Sequence, residues 1–405
     1  MKIELNEISF DGKRILEAQE IILSDMTLIW GKSGAGKSLT LKQIAEHYDC
    51  AIVSQDPDNQ IVCDTVWHEM AFGLENIGMK TSLIRARVAE IATYLGIAEW
   101  INKDVTELSG GQKQKLCLAA VLCMLPKLIL LDEPTSMLDP ISAREFWGVV
   151  ERLNKERGIQ FLIVVHDDEY ATRICNRHFL LDNGVFVEKK VPIRDVTTVK
   201  EKKSESVYEL HSLRKSYGSS LVVNIPKLEI YKGINCLIGP NGVGKSTLLR
   251  MICGAYKEKK MIRDSVLMPQ DVKIMFSHDT VAKEIGCLTD DVPAHIKPLL
   301  LKHPLDLSGG EQHILGVTLT LLRNASLTCF DEPTKGMDYE TKKEIMDMIQ
   351  ASGKNCVIVT HDLDLVAEYA DYVTFLFNRD IAAAGSAKEV IGNNVFWKSE
   401  GFIFA

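Results

Sequence analysis

The chain has 405 residues, 46% of them apolar and 25% charged, with a formal net charge of −8. That length holds two or three domains with cores of their own, and the composition is that of a globular protein, which excludes a disordered or fibrous one. The acidic balance argues against a surface that grips nucleic acid through its phosphates. The ten cysteines show no CxxC pair and no Cys/His spacing of a zinc or iron-sulfur site, so they read as reduced thiols, mostly in apolar segments.

In chain order, MKIELNEISF alternates polar and apolar residues and has no apolar core of a signal peptide. The apolar strand MTLIW (26–30) runs into GKSGAGKS (31–38) and then the helix-like LTLKQIAEHY. Strand, glycine-rich loop and helix in that order are the context of a P-loop. There the backbone of Gly31, Ser33, Gly34 and Gly36 turns around phosphates, Lys37 reaches the β/γ-phosphates and Ser38 ligates Mg²⁺. AIVSQ places Gln55 after the next strand. LSGG then sets Ser109, Gly110 and Gly111 at the start of a helix, where the serine caps and the glycines leave amides accessible to an anion.

The apolar run 116–131 is broken by Pro126 and Lys127. It is too short on either side to cross a bilayer and reads as a buried helix followed by a buried strand. That strand ends in Asp132-Glu133, which suits Mg²⁺ binding by the aspartate and activation of water by the glutamate. His166 follows the strand FLIVV, within reach of a γ-phosphate.

The same order then returns. GPNGVGKS begins at Gly239, 208 residues after Gly31, and supplies Asn241, Gly242, Gly244, Lys245 and Ser246, with Thr247 directly after it. Gln270 follows SVLMP. Ser308, Gly309 and Gly310 of the second LSGG, and Asp331-Glu332, lie 199 residues after their counterparts, and His361 lies 195 after His166. Gln55 to Ser109 spans 54 positions and Gln270 to Ser308 only 38, so a helical stretch is trimmed in the second half. Residues 188–206 are charged, mixed in sign and poor in large apolar residues, as a solvated connector is. The domains are read as 1–190 and 207–405, joined by a linker at 191–206. Alternating apolar runs and helical periodicity give α/β folds with mostly parallel sheets.

With P-loop, glutamine, LSGG, DEPT, SMLD or KGMD and strand-histidine in this order, the chain resembles the ATP-binding cassette (ABC) ATPases across nearly all of both halves. The resemblance implies two tandem RecA-like cassettes, each with a helical subdomain, paired head-to-tail within the chain around ATP and Mg²⁺. One site would join Lys37, Ser38, Gln55, Asp132, Glu133 and His166 to Ser308, Gly309 and Gly310. The other would join Lys245, Ser246, Gln270, Asp331, Glu332 and His361 to Ser109, Gly110 and Gly111. Ser38, Gln55 and Asp132, and likewise Ser246, Gln270 and Asp331, would attend the metal. Asp139 and Asp338 would form D-loops, and Tyr217, with Phe10 as its counterpart, would stack on adenine. Both sites would hydrolyse ATP, and the lysines Lys113 and Lys115, absent after Ser308, would make the Lys37 site the slower.

Within that family, SQDPDNQIVCDTVWHEMAFGLENIGM (54–79) and the tail AAGSAKEVIGNNVFWKSEGF resemble the energy-coupling factor (ECF) ATPases, which power uptake of vitamins and metal ions. A transmembrane partner would dock on Asp56, Asp58, Asp64, His68, Glu69 and Glu75, with Val66, Met70 and Phe72 adding apolar contact, at the cytoplasmic face of the membrane. The alternative is a soluble tandem ATPase acting on ribosomes or DNA. The short linker and acidic charge favour the transporter subunit, with no nucleic-acid partner.

Overall fold

A computed structural model describes residues 1–10, 13–32, 34–136, 138–165, 168–191, 205–218, 220–254 and 262–391. The chain divides into two compact units, Met1–Arg194 and Asp195–Ala405. Residues 192–204 of the connector and 392–405 of the tail lie outside the described residues.

In the first unit β1 (Lys2–Leu5), β2 (Ile8–Phe10), β3 (Lys13–Leu16) and β4 (Gln19–Ile22) form two antiparallel pairs, β1 with β4 and β2 with β3. Then come β5 (Met26–Trp30), α1 (Lys37–His47) and β6 (Ala51–Val53). The helices α2 (Val66–Asn76), α3 (Thr81–Tyr94) and α4 (Gly110–Cys123) precede β7 (Leu128–Asp132). The unit closes with α5 (Pro140–Arg157), β8 (Gln160–Val164), α6 (Glu169–Ile174), β9 (Arg177–Asp182) and β10 (Val185–Glu188). The central sheet runs β10-β9-β5-β8-β7-β6 and is parallel except for the edge strand β10. Leu128 to Leu131 and Phe161 to Val164 are buried throughout, as strands covered on both faces by helices must be. The run 116–131 therefore divides into the end of α4 and β7.

The second unit repeats this order. A long hairpin of β11 (Ser206–Tyr217) and β12 (Ser220–Tyr231) leads to β13 (Ile234–Ile238), α7 (Lys245–Cys253) and β14 (Ser265–Met268). After the six-residue α8 (Val281–Gly286) come α9 (Gly309–Leu322), β15 (Leu327–Asp331), α10 (Tyr339–Ala351), β16 (Cys356–Val359) and α11 (Leu363–Tyr369). The unit ends with β17 (Tyr372–Phe377), β18 (Asp380–Gly385) and α12 (Ala387–Ile391). Its sheet, β14-β15-β16-β13-β17-β18, has the first unit's topology.

The units differ in their helical subdomains. In the first, Val66, Met70 and Leu74 of α2 pack with Ile84, Val88 and Ile91 of α3 and Leu116 of α4. Their spacing of three or four residues makes one apolar face on each helix, and each such side chain contributes about 1.5–3 kcal/mol when fully buried. In the second, α8 and short 3₁₀ turns enclose a small core of Val281, Ile285, Ile296, Leu299, Leu307 and Leu315. The trimmed interval thus falls in the helical subdomain, as the spacing predicts. No helix among the described residues is long and apolar enough to cross a membrane.

Candidate nucleotide sites

Both units carry the same construction at the carboxyl ends of their central strands, where open parallel sheets hold ligands. β5 and β13 each run into a loop that winds back on itself. Gly36 and Gly244, the last loop residues, take φ of 97° and 106°. A β-carbon would lie 2.7 Å from Ile15 at the first and 2.9 Å from the Val222 carbonyl at the second, so both conformation and space demand glycine there. No side chain caps α1 or α7, which leaves their first-turn amides for a ligand or water. Lys37 Nζ donates to the carbonyls of Gly31 (2.8 Å) and Lys32 (2.9 Å), and Lys245 Nζ to those of Gly239 (2.8 Å) and Pro240 (2.9 Å). Each ammonium closes over its own loop, where it can meet an anion held by the amides.

The strand-end carboxylates meet this loop. Ser38 Oγ donates to Asp132 Oδ1 at 3.1 Å, and Ser246 Oγ to Asp331 Oδ1 at 2.9 Å. Asp331 is 1% exposed and its Oδ2 has no hydrogen-bond partner. Burial pushes its carboxyl above the usual range, against the hydrogen bond from Ser246. A buried carboxylate oxygen left unpaired beside a serine hydroxyl is a donor set that fits Mg²⁺, which takes one or two protein oxygens and fills its remaining positions with water and phosphate.

The next residues, Glu133 and Glu332, have φ of 46° and 54°. Non-glycine residues rarely take that left-handed conformation, and holding it costs about 1–3 kcal/mol. Neighbouring strands hold it: Glu133 N donates to Val164 O (2.9 Å) and Glu332 N to Val359 O (3.0 Å). Gln55 Nε2 donates to Glu133 Oε2 (3.2 Å) and Ser136 Oγ (3.3 Å). In the second unit Gln270 is exposed, and His361 Nε2 stands 2.9 Å from Glu332 Oε1 without hydrogen-bond alignment. A glutamate pinned beside the phosphate loop can polarise a water. Asn241 is exposed on its loop and Thr247 half-buried in α7, while Tyr217 ends β11, exposed, with Lys215 Nζ 5.9 Å from its ring centre. Ser33, His166 and the side chain of Phe10 lie outside the described residues.

The LSGG segments cap helices, as their sequence suggests. Ser109 accepts from Gln112 N and its own amide donates to Gln112 Oε1, and Ser308 and Glu311 repeat this reciprocal capping box. Gly110 with Gly111, and Gly309 with Gly310, form the first turns of α4 and α9. Asp139 and Asp338 likewise cap α5 and α10.

Two sequence expectations are corrected. Lys113 is engaged within its own unit, its Nζ bonded to Asp58, and Lys115 is half-buried with its Nζ 5.8 Å from the Trp100 ring centre. Neither is a spare cation beside the first LSGG segment, which removes the ground for a slower Lys37 site. The docking face is also smaller than the sequence suggested. Val66 and Met70 are core, and the buried Glu69 accepts the amides of Val62 (3.0 Å) and Cys63 (2.9 Å) through Oε2. Asp56 caps a 3₁₀ turn through Asp58 N. Asp64, His68, Phe72 and Glu75 do face solvent.

Sequence reasoning missed the anchors of the segments after β8 and β16. In the first unit Thr135 Oγ1 (2.7 Å) and Trp147 Nε1 (2.8 Å) donate to Asp168 Oδ2. In the second, Lys342 Nζ pairs with Asp362 at 2.6 Å. Trp147 stands eight residues after its helix cap Asp139 and Lys342 four after Asp338, so no shared spacing announces the two anchors.

A phosphate loop bonded to a strand-end carboxylate, built twice in one chain, defines a tandem P-loop ATPase. The family model described as ABC transporter matches residues 20–136 and 223–335, more than half of the chain, and the chain belongs to that family of ATP-binding ATPases. A protein of Bacillus thuringiensis subsp. konkukian (strain 97-27), provisionally named an ABC transporter ATP-binding protein, is 30% identical over 97% of this chain and 93% of its own length. A Bacillus subtilis (strain 168) protein provisionally named HMP/thiamine import ATP-binding protein YkoD is 30% identical over 87% of this chain and 78% of its own. Among solved structures, the archaeal ribosome recycling factor in complex with a ribosomal stalk protein superposes with a TM-score of 0.72, 20% identity and coverage of 94% of this chain and 89% of that one. At that identity the likeness is one of fold.

Proposed function

We propose that this chain energises an ECF-type importer of a vitamin or metal ion, working peripherally at the cytoplasmic face of a membrane through transmembrane subunits. The observation that carries the reading is the 30% identity, over 97% of the chain, to a protein named for transport. The import name of the Bacillus subtilis relative supports it. So does the solvent-facing group Asp64, His68, Phe72 and Glu75 on the first helical subdomain, which gives a docking surface smaller than the sequence implied.

In this reading each unit, 1–190 and 207–405, binds ATP with its own phosphate loop. Lys37 and Lys245 neutralise phosphate charge, and Glu133 and Glu332 take a proton from the attacking water while His361, and His166 in the other unit, steady the γ-phosphate. Ser38, Gln55 and Asp132, and Ser246, Gln270 and Asp331, would hold Mg²⁺, which supplies charge neutralisation of the triphosphate. Ser109, Gly110 and Gly111 would serve the nucleotide of Lys245, and Ser308, Gly309 and Gly310 that of Lys37. Tyr217 would stack on adenine. ATP favours one state of the pair and hydrolysis releases it, so the difference in binding does the work. Affinity purification from its own cells in mild detergent tests the assignment. Recovery of small multi-helix membrane subunits supports it, and co-sedimentation with ribosomes without such subunits overturns it.

A further inference from the structure

A second group of reactive side chains lies away from the phosphate loops, in the second helical subdomain. Cys287, directly after α8, is the exposed one of the ten cysteines. Its Sγ lies 3.5 Å from His278 Nε2. The other ring nitrogen, Nδ1, faces Glu284 Oε2 at 3.3 Å and Ser277 Oγ at 3.1 Å. Glu284 is buried and cannot turn away, because its Oε1 accepts the amides of both Ser277 and His278. A carboxylate that orients an imidazole whose far nitrogen meets a thiol is the arrangement that activates a nucleophile.

The first unit shows what is added here. Thr65, Glu69 and Phe72 stand in register with Thr280, Glu284 and Cys287. Glu69 makes the same clasp on two amides, but the clasped residues are Val62 and Cys63. The clasp is therefore architecture common to both units, while the His278–Cys287 pair belongs to the second alone. The nearby charges Asp279 and Lys283 pair with one another at 2.7 Å and leave the imidazole to its own partners. Elsewhere burial pushes thiols up, those of Cys117, Cys123 and Cys356 to about 12. Among the described residues no cluster of three or more His, Cys, Asp or Glu has the geometry of a metal site.

We infer that Cys287 is a reversible thiolation site whose co-substrate is a low-molecular-weight disulfide, with His278 as its base. His278 Nε2 takes the thiol proton, the Cys287 sulfur attacks one sulfur of the disulfide, the S–S bond breaks, and the departing thiolate takes the proton back from His278. The net change is one protein thiol and one disulfide converted to a mixed disulfide and a free small thiol. The adduct stands on the exposed position that the first unit fills with Phe72.

The test is incubation of the full chain with oxidised glutathione at neutral pH, followed by peptide mass spectrometry over time. Cys287 is expected to be modified first, at a rate that falls about tenfold in His278→Gln because the thiol then ionises unaided. Lys283→Ala, which alters charge beside the cluster without touching it, should leave the rate within about twofold. Loss of fold in His278→Gln would be visible as labelling of buried cysteines, and Glu284→Gln, which keeps an acceptor for the two amides, then reads the base alone and should also slow the reaction. An unchanged rate in both variants, or earlier modification of another cysteine, overturns the proposal.

Discussion

In the first unit Gln55 donates to Glu133 at 3.2 Å, whereas in the second Gln270 faces solvent. The segment after the fourth parallel strand is held by hydroxyl and indole donors to Asp168 in the first and by an ion pair to Asp362 in the second. What the units share is local: loop, strand-end carboxylates, the left-handed glutamate and the helix capped by the LSGG serine. What separates them comes from residues far apart in the chain. A repeated fold can thus keep one chemical core while the side chains that position it diverge.

Lys37→Ala and Lys245→Ala each remove the cation of one phosphate loop, and nucleotide affinity at that unit should fall about a hundredfold, roughly 3 kcal/mol. Equilibrium dialysis with ATP and Mg²⁺ should then show high-affinity binding at one unit in place of two, and undiminished binding in either variant would remove that loop from the account.

Lys342→Met leaves Asp362 without its cation and should cost about 2 kcal/mol in urea unfolding at neutral pH, against about 1 kcal/mol for Trp147→Phe, which loses a hydrogen bond. Burial alone would raise the Asp362 carboxyl, but Lys342 holds it below its ordinary value. Its pairing therefore stabilises the fold above the ordinary carboxylate range and ceases to do so as pH falls through the depressed value. The penalty of Lys342→Met should shrink in acid.

Asp331 has the opposite sign. Its carboxyl is raised by burial, so ionisation opposes folding above that raised value and the effect vanishes below the ordinary one. Asp331→Asn should raise the stability of the nucleotide-free protein by about 1 kcal/mol at neutral pH. Thermal melts should show this gain fading in acid, with the added stabilisation by ATP and Mg²⁺ lost from that unit. The smallest effect concerns Lys113, whose partner Asp58 is largely exposed. Lys113→Ala should cost under about 1 kcal/mol and leave ATPase activity within about twofold, and a greater change in hydrolysis would return this lysine to the nucleotide.

Both phosphate loops, the Asp-Glu strand ends, the serine caps and the trimmed second subdomain were legible because each is encoded in a few consecutive residues or in spacing. Glu69 and Asp58 were not, because burial by distant amides and pairing with a lysine on another helix are tertiary facts that an acidic run does not announce. The left-handed φ of Glu133 and Glu332 was equally hidden, since nothing about glutamate requests it and the amide bonds to Val164 and Val359 impose it.

In the proposed function each unit hydrolyses ATP with its own strand-end glutamate. Steady-state hydrolysis by Glu133→Gln, Glu332→Gln and the double variant tests it. Each single variant should retain ATP at one unit, and the double should lose at least about a hundredfold of the rate. Full hydrolysis by the double variant would remove both glutamates from the reaction.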